Sequence, residues 1–306
     1  MDESARSWVR PSPLATNAPS QERPPRSPMK SLLHRHLAKV QRVLAQYEQA
    51  SRDAQLATPA ERLDTRVIGV LVSAAIIVSL LNYFGGSSNW SDWEVPLGLL
   101  LEEPGKQLAR YFLHDEYGRL LRLAYWSGTT VIGYFVVPVL LIRFLWKRRL
   151  ADFGLPFPGS SSPFGLGLVL AFIMLPFVLV ASFTESFQSS YPFYEFADRS
   201  AFDFLAWQLL YAAQFFALEF FYRGFLIHGL KHRFGIYSIL VSTVPYVMIH
   251  FGKPLPETLG SVVAGIALGA LSYHYRSVWP CVFLHILIAF SMDVFSLSAQ
   301  GRIGLF

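Results

Sequence analysis

Charge is what this sequence most lacks. Asp, Glu, Lys and Arg make up 15% of its 306 residues, against about 25% in soluble domains, which argues against a water-facing exterior over most of the chain. Cysteine is nearly absent. The single one, Cys281, excludes an internal disulfide and any cysteine-rich metal site, and its apolar surroundings read as those of a small buried hydrophobe. No GxSxG, HExxH or glycine-rich phosphate loop occurs, which disfavours serine-triad, zincin and nucleotide chemistry. The polar opening "MDESARSWVRPSPLATNAPSQERPPRSPMK" holds no apolar stretch of signal-peptide length, so targeting is expected to fall to the first spanning helix. Tandem repeats are also missing, which ranks a transporter built on paired, broken helices last.

What is abundant is apolar. Hydrophobic residues reach 53%, Phe alone numbers 26, and mean hydropathy is +0.36. The net charge of +5 and pI near 9.3 come from basic residues set beside apolar runs. That placement fits a lipid bilayer and the positive-inside rule, and no nucleic-acid partner is expected.

Three regions are expected. Residues 1–64 form a polar tail, disordered to about residue 29, and then a basic amphipathic helix from Lys30 to about Gln55. Leu33, Leu37, Val40 and Leu44 recur there at helical spacing, with Arg35, Lys39 and Arg42 on other faces. Residues 65–149 hold two spanning helices, near 67–84 and 123–146, around an interfacial segment with Trp90 and Trp93. Residues 150–306 hold the rest, near 164–183, 204–230, 236–250, 257–275 and 278–297. The expected fold is all-α, a polytopic transmembrane helix bundle of about seven spans; the fifth is short for a full crossing. Arg143, Lys147–Arg149, Lys231 and Arg233 mark one side and acidic loops the other, which gives a cytoplasmic N-terminus. The expected location is a bacterial inner membrane.

Within these runs stand residues that hydrocarbon disfavours. A single charge at a helix centre costs roughly 2.5–3.5 kcal/mol on insertion scales, yet "ALEFFYRGF" carries Glu219 and Arg223, one turn apart and able to pair. His250 ends the next run, His285 lies mid-span, and Asp293 follows two turns later on roughly the same face. Glu257, just after Pro256, suits the first turn of a helix. Taken singly, Glu219–Arg223 reads as a packing pin, and His250 and Asp293 as interfacial residues. Together they read as a polar cavity. A shielded carboxylate there can act as general base on water, and two histidines can steady an oxyanion or hold a divalent metal.

The order "LEFFYRG", "YVMIH", "HILIA" resembles the three motifs of the CPBP intramembrane protease family, which includes bacterial Abi proteins and the eukaryotic CAAX prenyl endopeptidase. Residues 150–297 carry the resemblance, and "ADFGLPFP" resembles the family's lead-in. It implies Glu219 as general base, Arg223 as its anchor, and His250 and His285 as an oxyanion or metal site. Asp293 would support them in place of the usual third-motif partner. The sequence departs at Leu218, where the family has its first glutamate, at Ala289, where it has Asn or Asp, and at Tyr246, where Phe is usual. The implied activity is hydrolysis of a peptide bond in a membrane-associated or lipidated protein, with a cofactor of either one divalent metal such as zinc or none. The alternative is a catalytically dead relative acting as a binding, immunity or sorting partner.

Overall fold

In a computed structural model of the chain, residues 63–88, 115–159 and 162–304 are described, with scattered residues of 38–56 and 102–111. By internal contacts Met1–Gln46 and Tyr47–Phe306 are separate units. The described residues between 38 and 56 are helical and nearly all exposed. The apolar stripe Leu33, Leu37, Val40 and Leu44, the tail before it, and Trp90 and Trp93 lie outside the described residues.

The described part is all-helical. Helix α1 is Thr65–Phe84. Asp64 starts it, its carboxylate accepting from the backbone N–H groups of Arg66 and Val67 at 3.1 Å each, a cap that contributes about 1 kcal/mol. Helix α2 is Gly118–Leu145, with π-helical turns at Ile132–Val136 and Leu141–Leu145 flanking Pro138, whose missing N–H breaks the regular ladder. Helix α3, Ser162–Ser182, is apolar all round. Its Phe172, Phe177 and Val180 stand 79%, 68% and 71% exposed, an outward apolar face that suits lipid. Helix α4 is Ala201–Glu219 and continues as a π-helical segment, Phe220–His228. After a turn at Gly235 come α5, Ser238–Met248, α6, Leu255–Tyr275, and α7, Trp279–Ala299.

Among the described residues six helical stretches are long and apolar enough to cross a membrane, where the sequence suggests about seven spans. The difference lies in residues 236–250. All but the last two belong to the continuous stretch Ala201–Met248, and α5, at 11 residues, rises about 16 Å against a hydrocarbon core of about 30 Å. Instead α5 folds back on the π-helical segment: Tyr222 and Tyr246 rings meet at 5.3 Å. The protein is an integral membrane helix bundle.

Two devices hold the site's neighbourhood. Helix α6 packs on α5 through Gly265 and Gly269, where a Cβ would come within 2.7 Å of Thr243 and of Ile239; such small-xxx-small spacing lets helices approach closely in lipid. Ahead of α3, Gly154 sits at φ 78, and a Cβ there would reach the His228 ring at 3.0 Å. Its carbonyl accepts from Val278 N at 2.8 Å, tying the lead-in segment to the start of α7. Gly154→Ala is therefore expected to destabilise the protein by about 1–3 kcal/mol, read as a lower thermal midpoint in detergent.

Candidate active site

The π-helical segment begins at the residue after Glu219. Wide turns of this kind interrupt an α-helix and recur at functional sites. The carbonyls they expose need partners in an apolar medium, and neighbouring helices supply them. Ser242 of α5 donates to Tyr222 O at 2.7 Å and Ser272 of α6 donates to Arg223 O at 3.3 Å. Glu219 and Arg223 are thus fixed against α5 and α6.

The side chains then converge. Glu219 is fully buried, and its Oε1 lies 2.6 Å from His285 Nδ1. Its Oε2 lies 3.1 Å from Arg223 Nε, close enough for an ion pair but without hydrogen-bond alignment. The Arg223 guanidinium lies over the Tyr246 ring at 4.0 Å, a cation–π contact in a dry setting. Tyr246 also faces His250 at 4.8 Å and His285 at 6.4 Å between ring centres, so one aromatic plate floors the whole group. Phe215 covers His285 from α4 at 4.2 Å.

His250 lies just past α5. Its Nδ1–H donates to Tyr246 O at 2.8 Å, which leaves Nε2 as the unprotonated nitrogen of the neutral ring. Burial pushes the pKa of His250 below its ordinary value, with the Tyr246 carbonyl opposing, so the ring is neutral at pH 7. Next to it, Lys253 donates to Tyr191 OH at 2.7 Å, Tyr191 OH donates to Glu257 at 2.6 Å, and Thr258 donates to His250 O at 2.9 Å. Burial lowers the Lys253 pKa as well. Glu257 occupies the first turn of α6, the place its sequence context suggested.

Glu219, Arg223, His250 and His285 are brought together; Asp293 is not. Eight residues beyond His285 on α7, it is displaced by about 12 Å along the helix. There its Oδ2 accepts from Trp207 Nε1 and Gln208 Nε2, both at 2.8 Å. The two departures are filled by apolar packing. Leu218 lies in the core cluster with Tyr134 and Tyr246, and Ala289 lies among Trp207 and Tyr211. Sequence reasoning named Tyr246 only as a departure from the second motif and passed over Phe215. The available signal was spacing, since each stands four residues before a polar site residue on the same helical face.

For a divalent metal the donor set falls short. Among the described residues no group of three His, Cys, Asp or Glu side chains could hold an ion. Catalytic zinc takes three protein ligands, and Glu219, the third candidate beside two imidazoles, already faces His285 and Arg223.

Residues 167–291 match a family model described as type II CAAX prenyl endopeptidase Rce1-like. No curated protein and no solved structure matches the chain. The matched stretch contains Glu219, Arg223, His250 and His285 and ends before Asp293. It coincides with the motifs that suggested the CPBP family.

Proposed function

We propose, on the premise that residues 167–291 are Rce1-like, that the chain is an intramembrane endopeptidase that hydrolyses a peptide bond near the C-terminus of a lipidated, membrane-associated protein. One observation carries the reading: a fully buried glutamate, backed by arginine, bonded at 2.6 Å to a histidine whose side chain keeps 15% of its surface exposed. This carboxylate–imidazole arrangement fixes the orientation of the His285 ring beside the place where a bound carbonyl would react.

The geometry favours a different division of roles from the one the motifs imply. Glu219 is enclosed, with Oε1 against His285 and Oε2 against Arg223, so water has no approach to it. His250 is neutral, and Nε2 carries its lone pair. In the proposed mechanism a water oxygen attacks the scissile carbonyl carbon while one of its protons passes to His250 Nε2. The oxyanion forms beside His285, whose ring Glu219 orients through Nδ1. The C–N bond then breaks, and the leaving amine takes the proton back from His250. General acid–base transfer of this kind contributes about 10²–10⁴-fold.

The pH dependence follows from His250. Because burial lowers its pKa, the acid limb of the cleavage rate is expected below the ordinary imidazole value of about 6.5. The same shift gives a stability term. The unfolded chain takes up the proton first, so stability is lost as pH falls below about 6.5 and is fully present above it. The substrate class is tested with full-length protein in liposomes and peptides ending in a prenylated CAAX sequence, alongside their unmodified counterparts. Release of a C-terminal fragment from the prenylated peptides alone is expected; cleavage of neither removes the proposed substrate.

A further inference from the structure

Away from the polar site, four cations meet around the turn Leu150–Phe153 and Gly154. Arg66, in the first turn of α1, lies over the Phe153 ring at 5.4 Å, and its Nε is buried with no hydrogen-bond partner. Lys231 donates to His228 Nδ1 at 3.0 Å, and the His228 ring packs against Gly154. Arg276 sits at the left-handed end of α6, two residues before Val278, whose N–H binds the Gly154 carbonyl. Arg148 is near enough to Arg66 to repel it, and Lys231 is repelled by both Arg276 and Arg66.

Little offsets this charge. Asp64 and Asp152 both act on Arg66, and Asp152 also acts on Lys231. Asp64 is taken by His232 at 2.8 Å and by the first backbone N–H groups of α1. Among the described residues, no carboxylate lies within ion-pair distance of any of the four cations. Four like charges on four chain segments repel one another unless an anion joins them. Beside Arg66, α1 turns exposed Ile68, Leu71 and Val72 outward, an apolar flank of the kind acyl chains cover.

We propose that Arg66, Arg148, Lys231 and Arg276 form a binding site for the phosphate headgroup of an anionic membrane lipid. Basic pockets between membrane helices recognise such headgroups, and guanidinium groups suit phosphate oxygens. The apolar flank favours a lipid over free phosphate, which has no use for it.

The test uses the full chain purified in detergent and offered phosphatidylglycerol or phosphatidylcholine, with bound lipid counted by native mass spectrometry. Wild type is expected to retain phosphatidylglycerol about 10-fold over phosphatidylcholine. Arg148 and Arg276 are exposed, so the R148Q/R276Q variant should fold, lose that preference and keep its cleavage activity. The control R143Q/K147Q, which removes the same charge from exposed positions near the end of α2, should keep the preference. An unchanged preference in R148Q/R276Q, or an equal loss in the control, overturns the site. Stabilisation by inorganic phosphate matching that by phosphatidylglycerol, with no lipid preference, assigns the site to free phosphate and overturns the lipid.

Discussion

Replacing His285 by alanine is expected to lower cleavage about 10²–10⁴-fold while leaving a folded protein in the membrane. Other contacts also hold α7. Cys281 and Leu284 pack with Ala171 of α3 and Leu268 of α6, and Asp293 is tied to Trp207 and Gln208 of α4. In the proposed mechanism the substitution removes the group through which Glu219 acts on the reacting carbonyl. The measurement is the single-turnover rate on a cleaved peptide, set beside the thermal midpoint of the same preparation. A large fall in rate with a moderate fall in midpoint, about 1–3 kcal/mol for the buried Glu219 Oε1 left without its partner, is the expected pattern. A normal rate would remove His285 from the mechanism.

The second large effect concerns stability. Arg223 is 1% exposed and Glu219 fully buried, so Arg223→Ala strands a carboxylate in an apolar interior. Breaking a buried pair from one side costs about 3–5 kcal/mol, whereas replacing both partners by apolar groups is often neutral. Arg223→Ala is therefore expected to lower the thermal midpoint sharply or abolish accumulation in the membrane. The double substitution Glu219→Leu/Arg223→Met should recover most of the fold and none of the activity. Rescue of the fold without activity separates the chemical use of the pair from its packing. A double variant that cleaves normally would show the pair to be structural alone.

Most of the fold was legible because lipid demands it. Long apolar runs predict spanning helices with little help from context, as 67–84 and 164–183 show against α1 and α3. The spacing of Glu219 and Arg223 and the end position of His250 were equally readable. What hydropathy does not encode is which helix lies against which. The Glu219–His285 bond depends on α4 and α7 running antiparallel, with Trp207 meeting Asp293 at one end and Phe215 meeting His285 at the other. Asp293 was read as part of the site because it shares a face with His285. That face is long enough to serve two places. The π-helical turn after Glu219 also escaped the sequence, since nothing in "FFYRGFLIH" separates it from an ordinary helix. The residues that stabilise it, Ser242 and Ser272, lie on other helices.

Leu218 and Ala289 bear most directly on the central claim. Both positions are filled by apolar packing, so the proposed mechanism runs on Glu219, His250 and His285 alone. The most direct test is a comparison of new peptide termini in membranes of cells producing the wild type or His250→Ala at matched abundance. Termini found with the wild type and absent with His250→Ala are the predicted result, and they would also name the substrates. Identical profiles from the two, with both proteins folded in the membrane, would contradict a protease working through these three residues.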